Sequence, residues 1–161
     1  MKLKTTKPQI VMEVIGGLII IGMFLFVLLQ WGDIPQKIPE HYDFTGQVDK
    51  WGDKTGVLIM PIMAVALYLL LTVVTMFPRI WNVPVEITES NKEAVYSCMN
   101  SMLIFMKIEI LATFSYITYC QVTSTKLSSL FLTVVLLGLF ATIAFFIIKT
   151  IKVAKANSDV L

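Results

Sequence analysis

Leu127–Ile148 reads LSSLFLTVVLLGLFATIAFFII and holds no charged side chain. In water its β-branched residues would favour a strand. In lipid no water satisfies backbone amides, so a run of this length closes its hydrogen bonds on itself as a helix. At a rise of about 1.5 Å per residue, such a run matches a hydrocarbon layer about 30 Å thick. Three further runs share the reading: Ile10–Gln30, Gly56–Phe77 and Cys98–Cys120. The chain has 161 residues, 57% of them hydrophobic, and its polar residues gather in blocks between the runs. Its mean hydropathy is +0.79, beyond the range expected of a soluble domain. The expected fold is all-α: a polytopic membrane protein, one four-helix transmembrane bundle over residues 1–161. An outer loop, 31–55, and an inner loop, 78–93, join the helices.

Charge sets the expected orientation. Lys2, Lys4 and Lys7 precede the first run, Arg79 and Lys92 lie between the second and third, and Lys149, Lys152 and Lys155 follow the fourth. The first loop instead sets Asp33, Glu40, Asp43, Asp49 and Asp53 against Lys37, Lys50 and Lys54. The positive-inside rule then places both termini in the cytoplasm, as a multi-pass protein of a cell membrane. The first run is too long for a typical signal-peptide core, and Gln30-Trp31-Gly32 offers no small-residue cleavage site, so it is expected to stay as a helix. A net charge of +2 held beside lipid gives no footing for nucleic acid. The bilayer is the first partner; a second copy of the chain stays open as another. Cys98 and Cys120 sit at opposite ends of one run, about 33 Å apart at helical rise, which excludes a disulfide between them.

The first loop is longer than a helix connection requires, a length that usually marks structure or function. Pro35 and Pro39 favour extended backbone in the stretch opening at Trp31. Tyr42 and Phe44 alternate with Asp43 and Thr45, Gly46 supplies a turn, and Val48 resumes the apolar phase, predicting a small β-hairpin around Thr45-Gly46. Trp31 and Trp51 suit the lipid interface. On the other side, Ser90-Asn91-Lys92-Glu93 reads as a capping box with Ser90 as N-cap, so the third helix is expected to begin before it enters lipid.

Glu109 is the most informative residue within the spans. A carboxylate there usually faces a bundle interior or a water cavity. It shares a helix face with Thr113, Tyr116 and Cys120, and with Phe105 and Met106 on the other side. One reading is a proton- or ligand-linked site; the favoured one is a buried bond to another helix, for example to Tyr68 or Thr72. Lys107 points away from Glu109 and is expected to snorkel to the headgroups in preference to pairing with Glu13. Glu13 is expected to be solvated near the membrane edge, and Gly16, Gly17 and Gly22 to mark close helix packing. His41, the single histidine, stands near Glu40, Asp43 and Asp49. One nitrogen ligand falls short of a zinc set and the carboxylates lack calcium-loop spacing, so no metal is expected. Phosphate loops, CxxC pairs and a nucleophile–histidine set are absent from the sequence, and neither an enzyme nor a cofactor is expected.

The stretch Ile34–Lys54, IPQKIPEHYDFTGQVDKWGDK, resembles the bacterial DUF1648 family through Pro35, Pro39, His41, Gly46, Asp49, Gly52 and Lys54. Ile34 stands where that family usually has leucine. The segments Asn82–Asn91 and Met106–Glu109 also resemble its four-helix members, so the likeness runs over roughly residues 10–120. The same domain occurs in a larger membrane immunity protein that protects sporulating bacilli from their sporulation-delaying peptide toxin and signals to a repressor. The resemblance implies toxin immunity or signalling, with an extracellular peptide and a cytoplasmic regulator as partners. It carries over Pro35, Pro39, His41, Asp43, Gly46, Asp49 and Lys54 as a recognition loop. The alternative is a small transporter or membrane-complex subunit that couples a proton or solute through Lys107, Glu109 and Tyr116.

Overall fold

The computed structural model describes residues 4–158, so Lys2 lies outside the described residues. Helix α1 spans Lys7–Gln30, strands β1 and β2 span Lys37–Tyr42 and Val48–Asp53, and a 3₁₀ turn, Lys54–Leu58, leads into α2, Ile59–Thr75. A second 3₁₀ turn, Pro78–Ile80, precedes α3, Lys92–Val122, and α4 spans Phe131–Ser158. All four helices, α2 with its leading turn, are long and apolar enough to cross a membrane. An even number of crossings puts both termini on one side, called here the terminal end; the hairpin marks the other.

Helix α1 starts earlier than the apolar run implies, because Thr6 caps it. The Thr6 hydroxyl accepts from Gln9 N, and Gln9 Oε1 accepts from Thr6 N at 2.8 Å. The capping box expected at Ser90 does not form. The N-cap of α3 is Asn91, which accepts from Thr88 N and donates to Glu86 O, while the Ser90 hydroxyl pairs with that of Thr88. The loop folds back upon Asn91, leaving Glu93 to favour the helix N-terminus by its charge alone.

Helix α3 is the axle of the bundle: α1, α2 and α4 each pack along it. Met23, Ala64 and Leu111 meet midway, flanked by Ile19, Ile20, Tyr68 and Phe114. Gly16 permits this approach, since a Cβ there would stand 2.9 Å from the Tyr68 ring. Gly17 and Gly22 face open space, so only Gly16 has the packing role expected of all three. Large apolar side chains point outward along every helix, with Phe140 66% exposed. So large an apolar perimeter suits a helix bundle that crosses a membrane and exceeds what soluble proteins expose to water.

The predicted hairpin is present. β1 and β2 pair antiparallel, with irregularities flanking His41. Asp43 Oδ1 closes the turn by accepting from Thr45 N, Thr45 Oγ1 and Gln47 N at 2.7–2.9 Å. Gly46 adopts φ +85°, the left-handed region that glycine enters without steric cost. The extended stretch begins only at Lys37. Asp33 N and Ile34 N both bond back to Gln30 O, so turns continue past α1 and carry Ile34 into the core. Ile34 and Ile38 pack there with Val27, Val57 and Val122. The hairpin is thereby a part of the bundle and not an appendage.

Candidate recognition cleft and intramembrane polar sites

The hairpin is sewn to α3 and the α3–α4 turn by three bonds. Gln121 Nε2, buried, donates to Pro39 O at 3.1 Å; Leu127 N donates to Gly46 O at 2.9 Å; Tyr42 Oη donates to Thr125 O at 3.3 Å. Between hairpin and helices lies a cleft of about 300 Å³, walled by Tyr42, Phe44, Met60, Ile117, Leu127 and Phe131. Glu40, His41 and Gln121 line it and also line a neighbouring hollow of about 330 Å³. Phe44, at the hairpin tip, is 84% exposed. Desolvation pushes the Tyr42 phenol above its ordinary range.

The loop residues singled out from sequence divide into two groups. Pro39 is buried, Asp43 closes the turn, and Gly46 presses on the Leu127 carbonyl, 2.6 Å from where a Cβ would sit. Lys54 lies 5.0 Å above the Trp31 ring, and Pro35 is exposed just before β1. His41 and Asp49 form the outward pair, Nδ1 to Oδ1 at 2.6 Å; a carboxylate only accepts, which places a proton on Nδ1. Lys37–Asp53 and Lys50–Glu40 form ion pairs on the same surface. The Lys37 ammonium holds Asp53 below its ordinary pKa, and the Thr45 hydroxyl and turn amides do the same for Asp43. Among the described residues no three metal-ligating side chains converge.

Within the spans, polar groups gather on two sides of α3. Lys107 does not snorkel. Only 1% of its side chain is exposed, and its ammonium pairs with Glu13, donates to Thr72 Oγ1 at 3.2 Å, and lies 4.7 Å from the Tyr68 ring centroid. Tyr68 Oη in turn donates to Glu13 Oε2 at 2.6 Å. Glu13 is therefore more than a solvated edge residue: one side of it stays open, and the other holds the enclosed Lys107. The contact across 94 positions outcompetes the headgroups because α3 is central and surrounded.

Glu109 bonds neither Tyr68 nor Thr72. It faces α4, where Thr142 Oγ1 donates to Oε1 at 2.6 Å, while Oε2 is buried with no partner among the described residues. Glu109, Thr113 and Tyr116 line an apolar cavity of about 450 Å³ with Phe131, Val134 and Gly138. Tyr116 closes its hairpin end, its ring 5.3 Å from Phe131 and its hydroxyl accepting from Ser128 N. Cys120, expected on this face, instead contacts Lys126 O, and both cysteines are buried free thiols. Ser128 and Phe131 line both this cavity and the hairpin cleft, so the two adjoin. Sequence reasoning missed Thr142; the small-then-polar pair Gly138 and Thr142, one turn apart on α4, was the available signal.

A hairpin anchored between two membrane helices is now defined by its geometry. Residues 18–65 match the family model described as Domain of unknown function (DUF1648). The match takes in the second half of α1, the whole hairpin and the start of α2, a narrower span than residues 10–120. Lys107, Glu109 and Tyr116 lie outside the DUF1648 segment. No curated protein and no solved structure matches the chain. Two of the residues that carry the likeness, Pro39 and Gly46, are structural: with Asp43 they shape and seat the hairpin, and the cleft it creates is walled partly by α3 and α4.

Proposed function

We propose that this is a non-enzymatic membrane protein of a bacterial cell, with cytoplasmic termini, whose hairpin cleft recognises an extracytoplasmic peptide in immunity or signalling. The observation that supports this reading is the cleft itself. A concave, aromatic-rich wall held at fixed shape by three cross-bonds is the kind of surface that takes an apolar side chain of a partner. Phe44 and the outward His41–Asp49 pair border it. The inner loop between α2 and α3 would carry the response to a cytoplasmic regulator.

A second reading has its own observation: Glu109 Oε2, buried and unpartnered beside a cavity, suits a subunit that couples a proton or solute. One assay separates the two. A strain lacking the gene is complemented with wild type, Phe44→Ala with His41→Ala, or Glu109→Gln, and challenged with peptides secreted by its siblings. Loss of protection in the hairpin variant alone supports recognition. Loss only with Glu109→Gln supports coupling, and full protection by both variants would refute both readings.

A further inference from the structure

A hollow larger than either of these belongs to neither site. At the terminal end, α1, α3 and α4 enclose a groove of about 970 Å³. Its walls are apolar, among them Val11, Met12, Ile104, Phe105 and Phe146. Lys7, in the first turn of α1, and Lys149, on α4, line the same groove. No aspartate or glutamate lines it, and neither ammonium has a carboxylate partner among the described residues. Lys149 has only the faces of Phe145 and Phe146, 5.9 and 5.6 Å from their centroids. The polar groups deeper in the groove satisfy one another instead. Gln9 is buried and donates to Ser97 O at 3.0 Å and Ser101 Oγ at 2.9 Å.

An apolar channel between membrane helices, flanked by two cations without a carboxylate partner among the described residues, one at the start of α1 and one in the second half of α4, has the chemistry of an anionic lipid site. Zwitterionic lipid would fill the walls equally well but brings its own cation to the lysines. We propose that the groove binds one anionic phospholipid, its phosphate between Lys7 and Lys149 and an acyl chain along the apolar wall. The lipid bridges α1 and α4, each of which packs extensively on α3. This site is independent of the hairpin cleft and of Glu109, and it holds whichever side of the membrane the termini occupy.

The test uses the full chain in micelles containing equal phosphatidylglycerol and phosphatidylcholine, with retained lipid counted by native mass spectrometry. Wild type is expected to retain one phosphatidylglycerol with a preference on the order of tenfold, the scale two membrane-adjacent lysines supply. Lys7→Gln with Lys149→Gln removes the preference, while Lys126→Gln, beyond the other end of α3, keeps it. Both lysines are exposed, so their loss does not disturb packing. Filling the groove by Val153→Trp lowers retention with both charges intact. Equal retention of the two lipids by wild type would overturn the proposal, as would an unchanged preference in the double variant.

Discussion

Replacing Glu13 by Gln leaves a lysine in the bundle interior without its counter-charge. Lys107 is almost wholly enclosed, whereas 28% of the Glu13 side chain is exposed. Breaking a buried pair by removing one partner costs about 3–5 kcal/mol. Water reaching the Glu13 side, together with Thr72 and the Tyr68 ring, places Glu13→Gln near about 3 kcal/mol, roughly a hundredfold in the unfolding equilibrium. Substituting both residues, Glu13→Gln with Lys107→Met, removes the orphaned charge and is expected to recover most of that loss. Reversible unfolding by dodecyl sulfate in mixed micelles, followed by circular dichroism, measures all three proteins. A Glu13→Gln protein within about 0.5 kcal/mol of wild type would refute the reasoning, being the scale of an ordinary surface change. A double variant no more stable than the single one would refute it equally.

Gly46→Ala combines a left-handed backbone with a Cβ pressed on the Leu127 carbonyl, so a loss of about 2 kcal/mol in hairpin stability is expected, seen as faster amide exchange in β1 and β2. The Asp43 carboxyl is held below the ordinary aspartate value of 3.8, so its contribution to the turn is complete above that pH and fades as pH falls through the lower folded value. Amide exchange at Thr45 and Gln47, corrected for intrinsic rates, should therefore rise only in acid, and Asp43→Asn should abolish that dependence. A cysteine placed at Gln47 is expected to react with a membrane-impermeant maleimide on intact cells while one at Asn82 does not; Cys98 and Cys120 are buried and give little background. The reverse labelling pattern would invert the orientation.

The four spans were legible because lipid reduces the question to one variable, the length of an uncharged run, as Leu127–Ile148 demonstrates. The hairpin was legible too, since Asp43, Thr45 and Gly46 carry local turn chemistry. Partners across helices were not. Lys107 lies about 22 Å along α3 from Lys92, too far for a lysine stem to regain that end, but this follows only once α3 is known to be the surrounded helix. The capping box at Thr6 and Gln9 escaped notice because it precedes the apolar run, and Ser90 drew attention by satisfying the same pattern without its geometry. At Glu109 the sequence exposed the carboxyl and its cavity neighbours Thr113 and Tyr116, while Thr142 depended on how α4 docks.

Lys107 and Glu109 are two residues apart, so about 200° of helix rotation separates them, one engaging α1 and α2, the other α4. The axle is thus keyed on two nearly opposite faces. Any turn about its long axis disturbs both polar contacts at once, so together they hold the bundle to a single angular setting.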